Sequence, residues 1–196
     1  RLLEDADRLP HLFHAHEEPI VHVSAQADGD VEIVGLVVEI REILADVIDL
    51  KLPWMTGYSR EAARLARDAA QALGLDEASQ QKVYRAALIH GVGRAAVPNM
   101  IWDTAGKLSS SAWERVRLVP YWTGRAARQI GSLAGEAEIA SYAYERPDGS
   151  GYFREAKATH IPIEGRILAA AVALATLRVA RPWREAFEEG EAAAML

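Results

Sequence analysis

The chain has 196 residues, half of them hydrophobic, a formal net charge of −6 and no cysteine. That length holds one domain with a real core, and the apolar fraction excludes a disordered chain. The acidic balance excludes a general nucleic-acid binder driven by counterion release, and the missing cysteines exclude disulfides, thiolate catalysis and zinc ribbons.

No apolar run reaches the length of a membrane span. The opening Arg1-Leu2-Leu3-Glu4-Asp5 is too charged for a secretory signal, so the expected location is the cytoplasm. The chain opens without Met, which reads as an excised fragment.

Residues 1–30 form an expected appendage, with Pro10, Pro19, a histidine group at His11, His14, His16 and His22, and a turn at Asp28-Gly29-Asp30. Ile20–Val23 reads as a short extended stretch. The histidines lack a convergent carboxylate and read as surface or satisfied side chains, because a metal site needs three or four convergent ligands.

From residue 31 the pattern becomes helical. Ile33, Leu36, Val37, Ile40, Ile43, Leu44 and Val47 form an apolar stripe. Glu39, Glu42, Asp46 and Asp49 lie opposite. The stripe can cover the chain's own core or pack on a second copy. Pro53 ends this helix. Ser59 is the expected cap of the next, which carries Ala62, Leu65, Ala66, Ala69 and Leu73, with Gly74 as its stop. Asp76 opens a third helix through Val83, Ala87 and His90, loosened at Gly91 and Gly93. Ser109 starts another that runs to Ile130 with a kink at Pro120. A further helix is expected over 136–145. Pro147-Asp148-Gly149-Ser150-Gly151 reads as a turn. Pro162 opens the next helix, Pro182 interrupts it, and a short helix ends the chain.

Two catalytic motifs fail on context. No strand precedes the 148–152 glycines and no Gly-Lys-Ser follows, which excludes a phosphate loop. Ser150 lacks the strand-turn-helix setting of a nucleophile elbow.

Several separated blocks agree in register. They are Asp49-Leu50-Lys51-Leu52-Pro53 with Thr56-Gly57-Tyr58-Ser59-Arg60; Ala87-Leu88-Ile89-His90-Gly91-Val92-Gly93-Arg94; Val97-Pro98-Asn99; Gly106-Lys107-Leu108-Ser109; Trp113–Leu118; Asp148-Gly149-Ser150-Gly151-Tyr152; and Arg181-Pro182-Trp183-Arg184. Together they resemble the HD-GYP branch of the HD-domain phosphohydrolases, most closely the actinobacterial type joined to a LuxR-like DNA-binding segment. The resemblance covers about Asp49 to Ala186.

It implies an all-α HD-domain helical bundle, here over residues 31–196, and hydrolysis of cyclic di-GMP or related phosphoesters at a two- or three-metal centre. Carried over residue by residue, the family's metal ligands fall on Tyr58, His90, Gly91, Val119, Ala143, Tyr144 and Val172. Only His90 among them is a usual ligand. Tyr58 and Tyr144 read as core-filling phenols with bonded hydroxyls rather than iron ligands. The family's lysine falls on Arg94, and the signature triplet reads Gly151-Tyr152-Phe153. The basic residues matching Arg181 and Arg184 face substrate phosphates in the resembled enzymes; a salt bridge to Glu185 or Glu188 is the plain alternative.

The expectation is therefore a catalytically inactive regulatory module of a bacterial protein, not an enzyme and without cofactor, that binds a partner protein or a small ligand. It involves no membrane and no direct nucleic-acid contact, and a homodimer through the 31–51 helix is a further expectation. Two alternatives stand beside it. One is a small-molecule sensor using a pocket of Tyr58, His90, Val119, Ala143, Tyr144 and Val172, which should converge in a dry, mainly apolar centre. The other is a residual phosphodiesterase. Arg94, Arg181 and Arg184 are the candidate phosphate-binding residues.

Overall fold

The structure, a computed structural model, describes residues 40–196. The expected 1–30 appendage, its histidines, the domain boundary at 30/31 and the first part of the apolar stripe lie outside the described residues.

Helix α1 is seen over residues 40–49. A 3-10 turn at Pro53–Met55 leads to α2, Tyr58–Ala72. Then come α3, Glu77–Ile89, a 3-10 segment at Val92–Ala96, and α4, Asn99–Trp102. Helices α5, Ser110–Arg117, and α6, Val119–Gln129, follow. Short α7, Ala137–Ala140, precedes the long α8, Ile163–Arg178, and α9, Glu189–Ala194, ends the chain. No strand occurs among the described residues; β pairing is limited to isolated bridges. The described residues are all-α, as expected.

Local chemistry explains the helix limits. Asp76 accepts a hydrogen bond from the Ser79 amide and Ser109 from that of Ala112, each satisfying a free amide of the first turn. Gly74 has φ +74°. Its amide donates to the Gln71 carbonyl and that of Leu75 to Ala70, the paired bonds of a left-handed helix stop.

Three expected details differ. Gly57, at φ +81°, takes the cap position of α2, while Ser59 sits buried inside the helix. The helix expected over 109–130 breaks at Leu118, because Pro120 has no amide to continue it and instead starts α6. The helix expected over 136–145 is regular only across α7, followed by turns.

The core is small-residue packing between α2, α3 and α8. Ala62, Ala63, Ala66 and Ala70 meet Val83, Ala86, Ala87 and Leu88, with Leu168, Ala171 and Ala175 beyond. Alanines let three helix axes approach closely, which fixes the start of α2, the end of α3 and the middle of α8 relative to one another.

Helix α1 turns the opposite way from the expected stripe. Ala45 and Ile48 face the core, and Arg41 is buried beside Glu136 at 3.6 Å. Ile40, Ile43, Val47 and Leu50 are each at least half exposed. Of the predicted stripe within the described residues, only Leu44 packs against the core.

Candidate functional site

The last turn of α3 carries His90 into the centre, fully buried. Its Nδ1 lies 2.5 Å from the Ala87 carbonyl oxygen. Nδ1 therefore carries the proton, and Nε2 is left as an acceptor. Arg94 Nη2 donates to that Nε2 at 2.9 Å. The Thr123 hydroxyl donates to the His90 carbonyl and accepts from the Gly93 amide, joining this segment to α6. An added Cβ at Gly93 would lie 2.0 Å from the Val119 carbonyl, so this close approach requires glycine.

Arg94 is 1% exposed. Its Nη1 donates to Asp49 Oδ1 at 3.2 Å, and its Cζ lies 4.7 Å from the centre of the Tyr58 ring. The guanidinium also faces the hydroxyl of Tyr144. Asp49 is itself fully buried, and accepts from the Ser59 amide and hydroxyl, each at 2.7 Å. A buried ion pair is tolerated only when its remaining hydrogen-bonding capacity is filled, and Ser59 does this for the carboxylate.

The six expected pocket residues come together. Tyr58 and Tyr144 stand 5.5 and 6.3 Å from the His90 ring, centre to centre. The Tyr58 hydroxyl reaches the Val172 carbonyl at 3.4 Å and the Thr176 hydroxyl at 3.0 Å. Tyr58, Val119, Ala143, Tyr144 and Val172 line one cavity of about 1310 Å3, with Arg94 among its lining residues. The expected apolar centre is not what forms, because the Asp49–Arg94 ion pair runs through it. Burial and the adjacent Arg94 charge lower the His90 imidazole to about 3, so the ring is neutral. Burial raises the Tyr58 and Tyr152 phenols, which therefore stay protonated.

Aromatic rings wall the cavity. Trp54, Trp102, Trp113 and Trp183 contribute, and Tyr152 stacks on Tyr144 with centres 5.2 Å apart. Arg94, Lys107, Arg146, Arg166 and Arg181 bring five cationic groups against the carboxylates of Glu145 and Asp148. Both carboxylates are already engaged. Glu145 accepts from the Arg154 and Ala156 amides, and Asp148 from the Ser150 amide and hydroxyl. Ser150 is thus a turn residue, as its setting indicates.

Arg181 is partly buried, and its Nε has no hydrogen-bond partner. No carboxylate is paired with it among the described residues. Burial lowers its pKa, and the charges of Arg184 and Arg94 add to the effect. Arg184 departs from expectation. Its guanidinium donates to the carbonyls of Thr176, Leu177 and Val179, closing the end of α8, and it pairs with neither Glu185 nor Glu188. It is a helix-end residue and lies outside the cavity lining.

Asp49 and Glu145 are the site-building residues that sequence reasoning missed. Asp49 sits in a recognised block, but its spacing to Arg94 carries no periodic signal.

The sequence profile of the HD domain matches residues 42–196. The chain belongs to the HD-domain family. Within it, the HD-GYP branch is the one supported. The HD domain is 29% identical over 150 residues to the 3′3′-cGAMP-specific phosphodiesterase 3 of Vibrio cholerae, covering 76% of this chain and 33% of that protein. It is 31% identical over 160 residues to a cyclic di-GMP phosphodiesterase response regulator of Xanthomonas campestris, covering 78% and 41%. A cyclic di-GMP phosphodiesterase of Thermotoga maritima is 29% identical over 168 residues, covering 82% and 43%. The chain thus spans about a third to two fifths of the length of these relatives. They are named as phosphodiesterases, and this overturns the expectation of a catalytically inactive, non-enzymatic module.

The metal centre that the resemblance implies does not fit the side chains of this HD domain. Among the described residues no three His, Asp or Glu side chains converge. The Nε2 lone pair of His90 is taken by Arg94, and the carboxylate paired with Arg94, Asp49, is also taken by Ser59. Val119, Ala143 and Val172 offer no donor atom.

Proposed function

We propose that this HD domain is a cytoplasmic phosphodiesterase domain that takes a cyclic dinucleotide in the aromatic, basic cavity. One observation carries the reading: a partly buried Arg181 guanidinium, without a carboxylate partner among the described residues, lines a cavity walled by four tryptophans. A desolvated cation without a counter-ion calls for an anion, and a guanidinium grips a phosphate through paired N–H donors. Indole and phenol faces accept any nucleobase by stacking. A cyclic dinucleotide presents two bases and two phosphodiesters, which matches that combination.

The volume supports a ligand of this size, since ordinary small-molecule pockets span roughly 300–1,000 Å3. Its relationship to proteins named for cyclic-dinucleotide phosphodiesterase activity supports the reaction class. Arg181 and Arg94 supply the positive field, the tryptophans offer faces for base stacking, and the protonated Tyr152 hydroxyl is a hydrogen-bond donor.

The test is incubation of the purified chain with 3′3′-cGAMP and with cyclic di-GMP, with and without added manganese. Linear dinucleotide is followed by mass spectrometry, with Arg181→Ala as the comparison. Turnover reduced in Arg181→Ala is expected. Absence of turnover of both compounds overturns the reading.

A further inference from the structure

We propose that the Arg94 guanidinium is the resident cation of this site, occupying the ligating face of His90 where a metal ion would sit and fixing positive charge at the floor of the cavity. The inference rests on the phosphodiester reading for what the charge serves, and on the geometry alone for the displacement of metal.

The first support is the hydrogen-bond network. His90 commits Nδ1–H to the Ala87 carbonyl, which leaves Nε2 as its single ligating atom. Arg94 Nη2 donates to that atom at 2.9 Å. A lone pair that accepts an N–H cannot also bind a metal, and the positive charge beside it repels a dication.

The second support is volume. A Cβ built at Gly91 lies 2.7 Å from Arg94 Cζ, 2.7 Å from Nη1 and 2.9 Å from Nη2. The guanidinium lies over the Gly91 α-carbon, in the space that any side chain at position 91 needs. By resemblance, position 91 corresponds to the aspartate of the family's His-Asp pair. The folded-back guanidinium thus fills the space that a side chain at position 91 needs, and a carboxylate there requires Arg94 to shift.

The third support is orientation. Asp49 lies outside the cavity lining and is held by Ser59, whereas Arg94 is part of that lining. The ion pair thus presents its positive end to the cavity. Inside a site of low dielectric, that end acts on an anion far more strongly than a solvated arginine does. The Tyr58 face beneath the guanidinium adds a contact that a hydrated metal does not use.

The experiment has two arms. In the first, chelator-treated protein is titrated calorimetrically with Mn2+ and then Fe2+, and no stoichiometric binding is expected. Stoichiometric binding that disappears in His90→Ala overturns the proposal. In the second arm, 3′3′-cGAMP binding is measured in EDTA. The dissociation constant is expected to be unchanged by EDTA and to weaken roughly tenfold or more in Arg94→Gln. Because that variant strands the buried Asp49, the double variant Asp49→Asn/Arg94→Gln is measured beside it, with circular dichroism to establish folding; the same loss is expected. Binding that needs a metal, or that survives intact in the folded double variant, overturns the proposal. If the wild-type chain binds no dinucleotide, the phosphodiester reading fails. The metal titration then decides the displacement on its own.

Discussion

Burial and the Arg94 charge lower the His90 imidazole from 6.5 to about 3, with the Ala87 carbonyl working against them. The folded chain therefore binds fewer protons at this ring than the unfolded chain. The resulting stability is complete above about pH 6.5 and is lost as pH falls toward 3. At about 1.4 kcal/mol per pKa unit the whole interval corresponds to roughly 5 kcal/mol. Urea unfolding at pH 7.5 and pH 5 is expected to show lower stability at pH 5, with the difference largely removed in His90→Gln. A His90→Gln protein that keeps the full acid dependence contradicts this. The Gly91–Arg94 contact gives a second expectation at this scale. Gly91→Ala should destabilise by about 1–3 kcal/mol through overpacking, and the penalty should disappear in an Asp49→Asn/Arg94→Gln background. Equal penalties in both backgrounds contradict it. Sequence showed that position 91 lacks the family carboxylate. It did not show why, because the occupant arrives from Arg94, three residues on, by a fold-back that no spacing rule encodes.

Helix limits were the most legible elements. Asp76, Ser109 and Gly74 act locally, through their own side chain or φ, so reading them needs no tertiary information. Gly74→Ala tests this directly. Nothing lies within 4 Å of an added Cβ there, so the substitution isolates the left-handed backbone cost. A loss of about 1 kcal/mol in chemical denaturation is expected, and no loss contradicts the assignment. The facing of α1 was illegible for a different reason. Residues 40–50 are apolar on both sides, and the burial of Arg41 beside Glu136 decides which side turns inward. The outward residues Ile40, Ile43, Val47 and Leu50 follow a three-four-three spacing, and Ile33 and Leu36 extend it upstream in the sequence. That 3.5-residue period is the seam of a two-helix coiled coil, so the expected occupant is α1 of a second copy. Light scattering should show a concentration-dependent dimer that Ile43→Glu/Val47→Glu abolishes. A monomer mass at every concentration contradicts it.

At the scale of the molecule, five Lys and Arg side chains but only two Asp and Glu line the cavity of a chain whose net charge is −6. Four of the five tryptophans line that cavity, and Trp122 lies outside it against Tyr121. Filling the cavity with 3′3′-cGAMP should change intrinsic tryptophan emission, and Trp122→Phe should keep that response. A response lost in Trp122→Phe places the ligand elsewhere. One element also joins two regions that are otherwise apart. Asp49, the counter-ion of Arg94, is the last helical residue of α1, whose outer face carries the exposed apolar seam. If a partner tilts this helix, the carboxylate that tethers Arg94 is expected to move with it, and self-association would then be coupled to anion affinity. Such linkage is reciprocal: whatever factor pairing of two chains imposed on ligand affinity, the ligand would return to the pairing equilibrium, so light scattering with and without 3′3′-cGAMP is the measurement that checks it.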